Sequence, residues 1–89
     1  MRNFEFTLDN GTQLNIKPPT LKMYYKQLLT AKKDMQLFNA VANICNRNYN
    51  DIEVTEEYVI DNFTTDDLNR FMVELPAWIG AERQADPNS

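Results

Sequence analysis

The sequence predicts a small α+β domain, in which an N-terminal two-stranded antiparallel β-hairpin is followed by a small bundle of three to five helices. Residues 4 to 16 alternate apolar and polar side chains on both sides of Asp9-Asn10-Gly11, the pattern of two half-buried strands around a turn. After Pro18 the apolar residues recur at helical spacing. The chain has 89 residues, 43% of them hydrophobic, which is enough for one core but not for two. We therefore expect a single domain over residues 1 to 83 and a disordered polar tail over residues 84 to 89.

The register of the hairpin follows from its apolar side chains. A two-residue turn would place the apolar residues of the two strands on opposite faces of the sheet. A three-residue loop that ends in a left-handed Gly11 instead pairs Phe6 with Leu14 and Phe4 with Ile16, on one face. We therefore predict the bulged loop. Because two strands alone are marginal in water, this face must lie on helices, or another chain must complete the exposed edges.

The first helix begins after Pro18-Pro19, with Thr20 as its N-cap. Near Lys33 the helix either stops and restarts, with Asp34 as a new N-cap, or runs on towards Arg47. Apolar residues that recur every seven positions keep the single long helix open, although we favour two helices. The apolar residues expected on the first helix are Leu21, Tyr24, Tyr25, Leu28 and Leu29.

Residues 46 to 53 are rich in Asn and Asp and predict a loop. Two helix starts follow, at Thr55 and Thr64, and each threonine is preceded by an apolar residue that forms a hydrophobic staple. Acidic residues occupy both first turns, where the helix dipole favours negative charge. The position of these acids thus has a structural explanation, and none lies in a context that predicts burial. They are Glu56, Glu57, Asp66 and Asp67.

The last helix has a continuous apolar stripe that runs through Pro76. Proline cannot donate a hydrogen bond to the carbonyl of Met72, so we expect the helix either to kink at Pro76 or to end and restart there. The stripe consists of Leu68, Phe71, Met72, Leu75, Trp78 and Ile79.

The side chains that most enzymes use are scarce in this chain. It has no histidine, one cysteine and two glycines, which argues against a histidine base, a cysteine-ligated metal and a glycine-rich phosphate loop. Cys45 lies among apolar residues, so we interpret it as a small buried hydrophobe. We predict no catalytic residue, no cofactor and no bound metal. A single cysteine cannot form a disulfide within the chain, which indicates a reducing cytoplasm. Because the sequence has no apolar run of about 20 residues, we also expect a soluble protein without membrane contact.

Charge divides the chain into a basic and an acidic half. Residues 1 to 47 carry a net charge of about +4, and residues 48 to 89 about −8. Opposite potentials of this kind steer association, which makes self-association an open alternative. Lys22, Lys26, Lys32 and Lys33 share the first helical region with two tyrosines, a combination found in nucleic-acid-binding proteins. The protein as a whole is acidic, with a pI of about 4.6, and this argues against nucleic-acid binding.

The remaining interpretation is that the protein functions by binding another protein through its surface. Tyrosine, tryptophan and methionine are frequent for so short a chain, and Tyr and Trp are enriched in interface hot spots. A domain of this size cannot bury all of them, so we expect one apolar patch to remain for a partner, centred on Trp78 and Ile79 beyond Pro76. The predicted partner-binding residues are Tyr25, Phe71, Leu75, Trp78 and Ile79.

Three segments of the chain carry a family resemblance. They are the opening Phe-Glu-Phe-Thr-Leu-Asp-Asn-Gly, the exit Ile16-Lys17-Pro18-Pro19-Thr20, and the closing stripe from Asp66-Asp67-Leu68 to Trp78-Ile79 with Asp86-Pro87-Asn88. Together they span nearly the whole chain. In this layout the sequence resembles the small tail assembly chaperones of long-tailed, siphovirus-like bacteriophages.

The resemblance implies a function. Members of that family bind the long helical tape measure protein in the host cytoplasm and keep it soluble while tail tube subunits polymerise around it, and they are absent from the mature virion. The tail tube protein is a second candidate partner. Many members also have a longer frameshifted product. The family supplies no set of binding residues to transfer onto this chain. Two alternatives remain: a small regulatory or nucleic-acid-binding phage protein, and a structural tail or head-completion component.

Overall fold

The computed structural model describes residues 2 to 85, and the side chains of residues 2 to 82. A two-stranded hairpin precedes four helices, which confirms the α+β prediction. The strands are β1, Phe4–Thr7, and β2, Gln13–Ile16; the helices are a π-helix, Lys22–Leu28, followed by α1, Asp34–Cys45, α2, Glu56–Asn62, and α3, Thr65–Ala85.

The hairpin has the predicted register. Phe4 pairs with Ile16 and Phe6 with Leu14, and all four side chains are buried on one face. Gly11 has a φ of +93°, a conformation that side-chain-bearing residues rarely adopt. The bulged three-residue loop is therefore confirmed.

The apolar face of the hairpin lies on helices, which is the first of the two arrangements that the sequence leaves open. The rings of Phe4 and Phe6 contact that of Phe71 on α3 edge-on, at centroid distances of 6.1 and 5.5 Å. On the other strand, β2 packs against α1. Phe71 and Leu75 are both completely buried and anchor α3 in the core.

The outer edge of β2 is covered by the loop that follows α1. The Lys17 N–H donates to the carbonyl of Arg47 at 2.6 Å, and the Tyr49 N–H donates to the carbonyl of Asn15 at 2.9 Å. These bonds act as a short third strand and satisfy backbone groups that would otherwise invite pairing with another chain. The chain itself thus completes this edge of the sheet.

The first helical region is a separate π-helix, so the prediction of two helices is confirmed. The Leu29 N–H donates to the carbonyl of Tyr24, five residues earlier, at 3.0 Å. Of the five apolar residues expected on the first helix, Tyr24 and Leu28 are buried, whereas Leu21, Tyr25 and Leu29 are exposed. Alpha-helical spacing misplaces these side chains because a π-helix closes its hydrogen bonds over five residues instead of four.

Thr55 and Thr64 cap helices as predicted; Thr20 accepts the same kind of hydrogen bond, although the N-cap of the π-helix is Leu21. The Oγ1 atoms of Thr20, Thr55 and Thr64 accept hydrogen bonds at 3.2, 3.1 and 3.0 Å from backbone N–H groups three residues further on. The predicted cap at Asp34 is wrong, since the N-cap of α1 is Lys33 and Asp34 is the first helical residue. The Oε1 atom of Gln36 accepts from the Lys33 N–H at 3.3 Å and supplies the missing cap.

Helix α3 continues through Pro76 without ending and restarting there. It also extends to Ala85, so the prediction of a disordered tail is wrong for residues 84 and 85, which are helical. The rest of that tail, residues 86 to 89, lies outside the described residues, as does the Asp86-Pro87-Asn88 motif.

Candidate functional site

An apolar groove lies between the start of the π-helix and the C-terminal half of α3. Its volume is about 230 Å³. Its floor and walls are formed by prolines, aromatic rings and aliphatic side chains, and a charged residue from each end of the chain closes one side. The lining residues are Arg2, Pro18, Pro19, Thr20, Leu21, Tyr24, Tyr25, Trp78, Ile79 and Glu82.

One wall of the groove results from the proline exit and the π-helix. Pro18 and Pro19 cannot continue a strand ladder, so the chain leaves β2 and enters the helix beside the groove. The side chains of Leu21 and Tyr25 then face outward, with exposed fractions of 76% and 42%. The ring of Tyr25 meets that of the buried Tyr24 edge-on, at a centroid distance of 4.9 Å. This wall therefore presents two large exposed side chains, Leu21 and Tyr25, which do not belong to the buried core.

The opposite wall is Trp78 with Ile79, on α3. Both are partly buried and pack against the core. The Trp78 ring lies 5.9 Å from that of Phe4, at an interplanar angle of 49°. Trp78 therefore belongs to the core on one side and to the groove on the other.

An ion pair between Arg2 and Glu82 closes one side of the groove. Both side chains are partly in solvent, and such pairs contribute at most about 1 kcal/mol. Lys22 and Lys26 directly follow Leu21 and Tyr25 in sequence and are exposed. Neither lysine is among the residues that line the groove.

Three of the five predicted partner-binding residues meet in this groove, namely Tyr25, Trp78 and Ile79. The other two, Phe71 and Leu75, are 0% exposed and present no surface to a partner. Their periodicity fits the core as well as a binding stripe, which is why the sequence did not separate the two roles.

Sequence reasoning missed Leu21, Pro18 and Pro19 as groove residues. The helical spacing of Leu21 predicts a place on the first helix but does not tell a core position from a groove position. The Pro-Pro pair was a usable signal, since two residues without N–H groups leave a strand and form a stiff apolar ridge.

A larger hollow of about 500 Å³ lies between the π-helix, α1 and the start of α2. Six of its nine lining residues are polar or charged, among them Lys26, Gln27, Asn39 and Glu56. Apolar anchors are what a protein-binding pocket needs at its centre, so the groove at Trp78 is the better candidate.

A buried carboxylate near the other end of α3 was not predicted. Asp67 is 0% exposed, and its two oxygens accept hydrogen bonds at 3.0 Å from the backbone N–H groups of Asp9 and Thr64. Arg70 forms an ion pair with the same carboxylate. Burial alone would raise the pKa of Asp67, but the backbone groups of Thr64 and Asp9, with the Arg70 and Thr64 side chains, outweigh it and hold that pKa below its ordinary value.

Arg70 extends this network to the hairpin. Its Nη2 atom donates to the carbonyl of Thr7 at 3.0 Å, and its guanidinium lies 4.9 Å from the centre of the Phe6 ring. We call Asp9, Thr64, Asp67 and Arg70 the Asp67 network. Because it joins the hairpin loop to the start of α3, we interpret it as a structural lock.

Cys45 is buried in the core, as predicted, and burial raises the pKa of its thiol. The thiol is therefore protonated at neutral pH. Across residues 2 to 85, no three His, Cys, Asp or Glu side chains come together in a way that would hold a metal ion. In the same part of the chain, no helix is both long enough and apolar enough to cross a membrane.

The lowered pKa of Asp67 predicts how stability depends on pH. Its folded-state pKa lies below the ordinary value of 3.8, so its stabilisation is complete above that value and is lost as the pH falls through the folded pKa. Since the chain has no histidine, we expect the free energy of unfolding to be nearly constant from about pH 5 to 8 and to fall below about pH 4. Urea unfolding followed by Trp78 fluorescence measures this.

The same titration of Asp67→Asn should show a shallower fall in acid, whereas Asp66→Asn should resemble the wild-type protein. A fall that begins near neutral pH, or one that is unchanged in Asp67→Asn, would contradict the assignment.

Comparisons with known proteins give no relative for this chain: no family model matches it, and neither a curated protein nor a solved structure does.

Proposed function

We propose that this protein is a tail assembly chaperone of a long-tailed bacteriophage, which binds the tape measure protein and keeps it soluble during assembly of the tail tube. The observation that supports this function best is the apolar groove between Tyr25 and Trp78. In this proposal the protein works by binding and not by catalysis, acts in the host cytoplasm and is absent from the mature virion.

The groove suits the surface of a long helical protein. An amphipathic helix presents large apolar side chains at intervals of three and four residues, and helix-in-groove recognition inserts such side chains into an apolar pocket. Reversible binding of this kind lowers the concentration of free, aggregation-prone surface by mass action and needs no energy source. Release follows when tail tube subunits compete for the same helix.

Substitutions in the groove test this function. The double variant Leu21→Ser, Tyr25→Ser should capture the tape measure protein at least about tenfold less well, because each buried large apolar side chain contributes about 1.5 to 3 kcal/mol. Both side chains are exposed, so the fold should lose little stability. The measurement is co-expression with the long helical protein encoded beside the tail tube gene, followed by pull-down and the soluble fraction of that protein. Trp78→Ala should also weaken capture by more than its loss of folding explains.

Val73→Ser is the matched control. Val73 is 70% exposed on α3 and does not line the groove, so its loss should leave capture unchanged. A folded Leu21→Ser, Tyr25→Ser variant that captures like the wild-type protein would refute the placement of the site. Mass spectrometry of purified virions should not detect the protein, and its presence there would favour a structural tail or head-completion component.

One observation favours a second function. Lys22, Lys26, Lys32 and Lys33 are all exposed, as a surface for phosphate groups requires. A regulatory protein that binds nucleic acid through them would be retained on DNA or RNA in a salt-sensitive way. Lys32→Glu, Lys33→Glu should abolish that retention while leaving capture of the tape measure protein unchanged.

A further inference from the structure

We infer that Asn10 in the hairpin loop is a site of spontaneous deamidation, and that the Asp67 network slows the reaction by holding the loop closed. Asn10 is the only asparagine of the chain that precedes a glycine, and asparagine is among the thermolabile residues of proteins. Asn10 and Gly11 are both exposed. The modification needs no partner and does not depend on the proposed function.

The reaction joins the side chain of Asn10 to the backbone. The Gly11 nitrogen gives up its proton to solvent and attacks Cγ of Asn10. A new C–N bond forms, the Cγ–Nδ2 bond breaks, and the amide nitrogen leaves as ammonia with a proton from solvent. Water then opens the cyclic imide at either carbonyl, which leaves aspartate or isoaspartate in place of Asn10. Glycine favours the attack because it has no Cβ and permits more backbone conformations than other residues.

In the folded loop both reacting groups are held by hydrogen bonds. The Gly11 N–H donates to the carbonyl of Leu8 at 2.9 Å, so loss of its proton removes this bond. The Oδ1 atom of Asn10 accepts from the Thr12 N–H at 2.9 Å, which fixes the orientation of the carboxamide. The nitrogen must leave Leu8 and the side chain must leave Thr12 before the two combine. The reaction therefore requires the loop to open.

The Asp67 network holds the loop on the side that precedes Asn10. The Asp9 N–H donates to the Asp67 carboxylate at 3.0 Å, and the Thr64 hydroxyl donates to the Asp9 carboxylate at 2.6 Å. A local opening is populated according to the free energy of the contacts that it breaks. The network therefore determines how often the loop opens and how fast Asn10 reacts.

The geometry of the loop explains why so reactive a pair stands at this position. Gly11 has a φ of +93°, and no atom lies within 4 Å of the place that a Cβ would take, so the backbone conformation and not a lack of space requires glycine. Asn10 provides the oxygen that accepts from the Thr12 N–H. The two residues that build this loop are therefore also the pair most open to deamidation.

The two products differ in their effect on the hairpin. Aspartate keeps an oxygen for the Thr12 N–H. Isoaspartate carries the main chain through its side chain and adds a methylene to the loop, which strains the hydrogen bond from the Leu8 N–H to the Thr12 carbonyl, 2.8 Å long in the intact hairpin. We expect the isoaspartyl protein to lose this bond and, with it, the contact of Asp9 with the Asp67 network.

Incubation of the intact protein in mildly alkaline buffer tests the inference. Mass spectrometry after proteolysis measures the deamidated fraction of the peptide that contains Asn10, and chromatography separates aspartate from isoaspartate. Asp67→Ala should deamidate at Asn10 at least about tenfold faster than the wild-type protein, because the loop loses its contact with the carboxylate. Asp66→Ala, which removes an exposed carboxylate of the same helical turn, should react at the wild-type rate.

Two further measurements keep the test decisive if Asp67→Ala unfolds. Asp67→Asn retains one oxygen for the Asp9 N–H and should react at an intermediate rate. In the wild-type protein, small additions of guanidinium chloride should raise deamidation of Asn10 and hydrogen exchange of the Gly11 amide in parallel, since both need the Gly11 N–H to leave its acceptor. Asn39, which is exposed on α1 and precedes an alanine, is the internal reference and should remain intact over the same period.

Two results would contradict the inference. Deamidation of the folded protein as fast as that of the protein unfolded in guanidinium chloride would show that the loop gives no protection. Equal rates in folded Asp67→Ala and Asp66→Ala would show that the Asp67 network does not control the reaction. A rate that follows the opening of the loop supports the inference.

Discussion

Replacing Asp67 by Ala should lower the free energy of unfolding by about 3 kcal/mol, a large part of the roughly 5 to 10 kcal/mol that a domain of this size has. The carboxylate is completely buried and accepts hydrogen bonds from the backbone of Asp9 and Thr64. Without it, two backbone N–H groups lose their partner and the Arg70 guanidinium loses its buried ion pair. Urea unfolding at neutral pH, monitored by Trp78 fluorescence, gives the difference.

Asp66→Ala is the matched control for this prediction. Asp66 occupies the same helical turn and carries the same charge, but its side chain is 71% exposed and its ion pair with Arg70 lies at the surface. The control therefore includes the loss of a favourable charge at the start of α3 without the loss of a buried network. It should cost less than about 1 kcal/mol. Equal losses in the two variants would mean that the Asp67 network is not a lock.

Replacing Asn48 by Ala should cost a similar amount, about 3 kcal/mol, because the Asn48 side chain makes four hydrogen bonds in a buried position. Its Nδ2 atom donates to the carbonyls of Cys45 and Ile52, both at 2.8 Å. Its Oδ1 atom accepts from the N–H groups of Asn50 and Ile52 at 3.0 and 3.1 Å. Alanine leaves these groups without partners, and the loop along β2 should loosen. Urea unfolding and hydrogen exchange of the amides of Lys17 and Tyr49 measure both effects.

Asn43→Ala is the control, since Asn43 is exposed on α1 and makes one side-chain hydrogen bond, to Asn39 at 2.9 Å. It should cost less than about 1 kcal/mol. If Asn48→Ala is equally mild and the amides remain protected, the loop does not depend on this side chain.

The hairpin and the helix caps could be predicted because their causes are local. The register follows from alternation within residues 4 to 16 and from a glycine at the one position that needs a positive φ. A threonine cap involves residues three positions apart, so Thr20, Thr55 and Thr64 are readable directly.

The burial of Asp67 could not be predicted because one of its partners, the backbone of Asp9, is distant in sequence. At the start of a helix an acid is ordinarily explained by the dipole, and that explanation served equally well for Asp66 and Asp67. The difference arises only when the backbone of Asp9, 58 residues away, comes to the carboxylate. The spacing of apolar residues along the sequence cannot reveal a contact between residues so far apart in the chain.

Only the wall of the groove that α3 forms could be predicted from the sequence. The apolar stripe of α3 indicated Trp78 and Ile79, but it also included Phe71 and Leu75, which are completely buried and do not line the groove. The opposite wall depends on a π-helix, and the outward position of Leu21 does not follow from the alpha-helical spacing in the sequence. Which apolar side chains remain outside is decided by tertiary packing.

The double contact of Trp78, with Phe4 behind it and the groove in front, couples recognition to the integrity of the fold. A ligand seated against this indole shields the same ring that covers the first strand, so occupancy and folding reinforce each other thermodynamically. The N-terminus should therefore resist proteases better in the loaded protein than in the empty one. If the protein has the proposed function, a substitution of Trp78 should therefore weaken both ligand binding and folding.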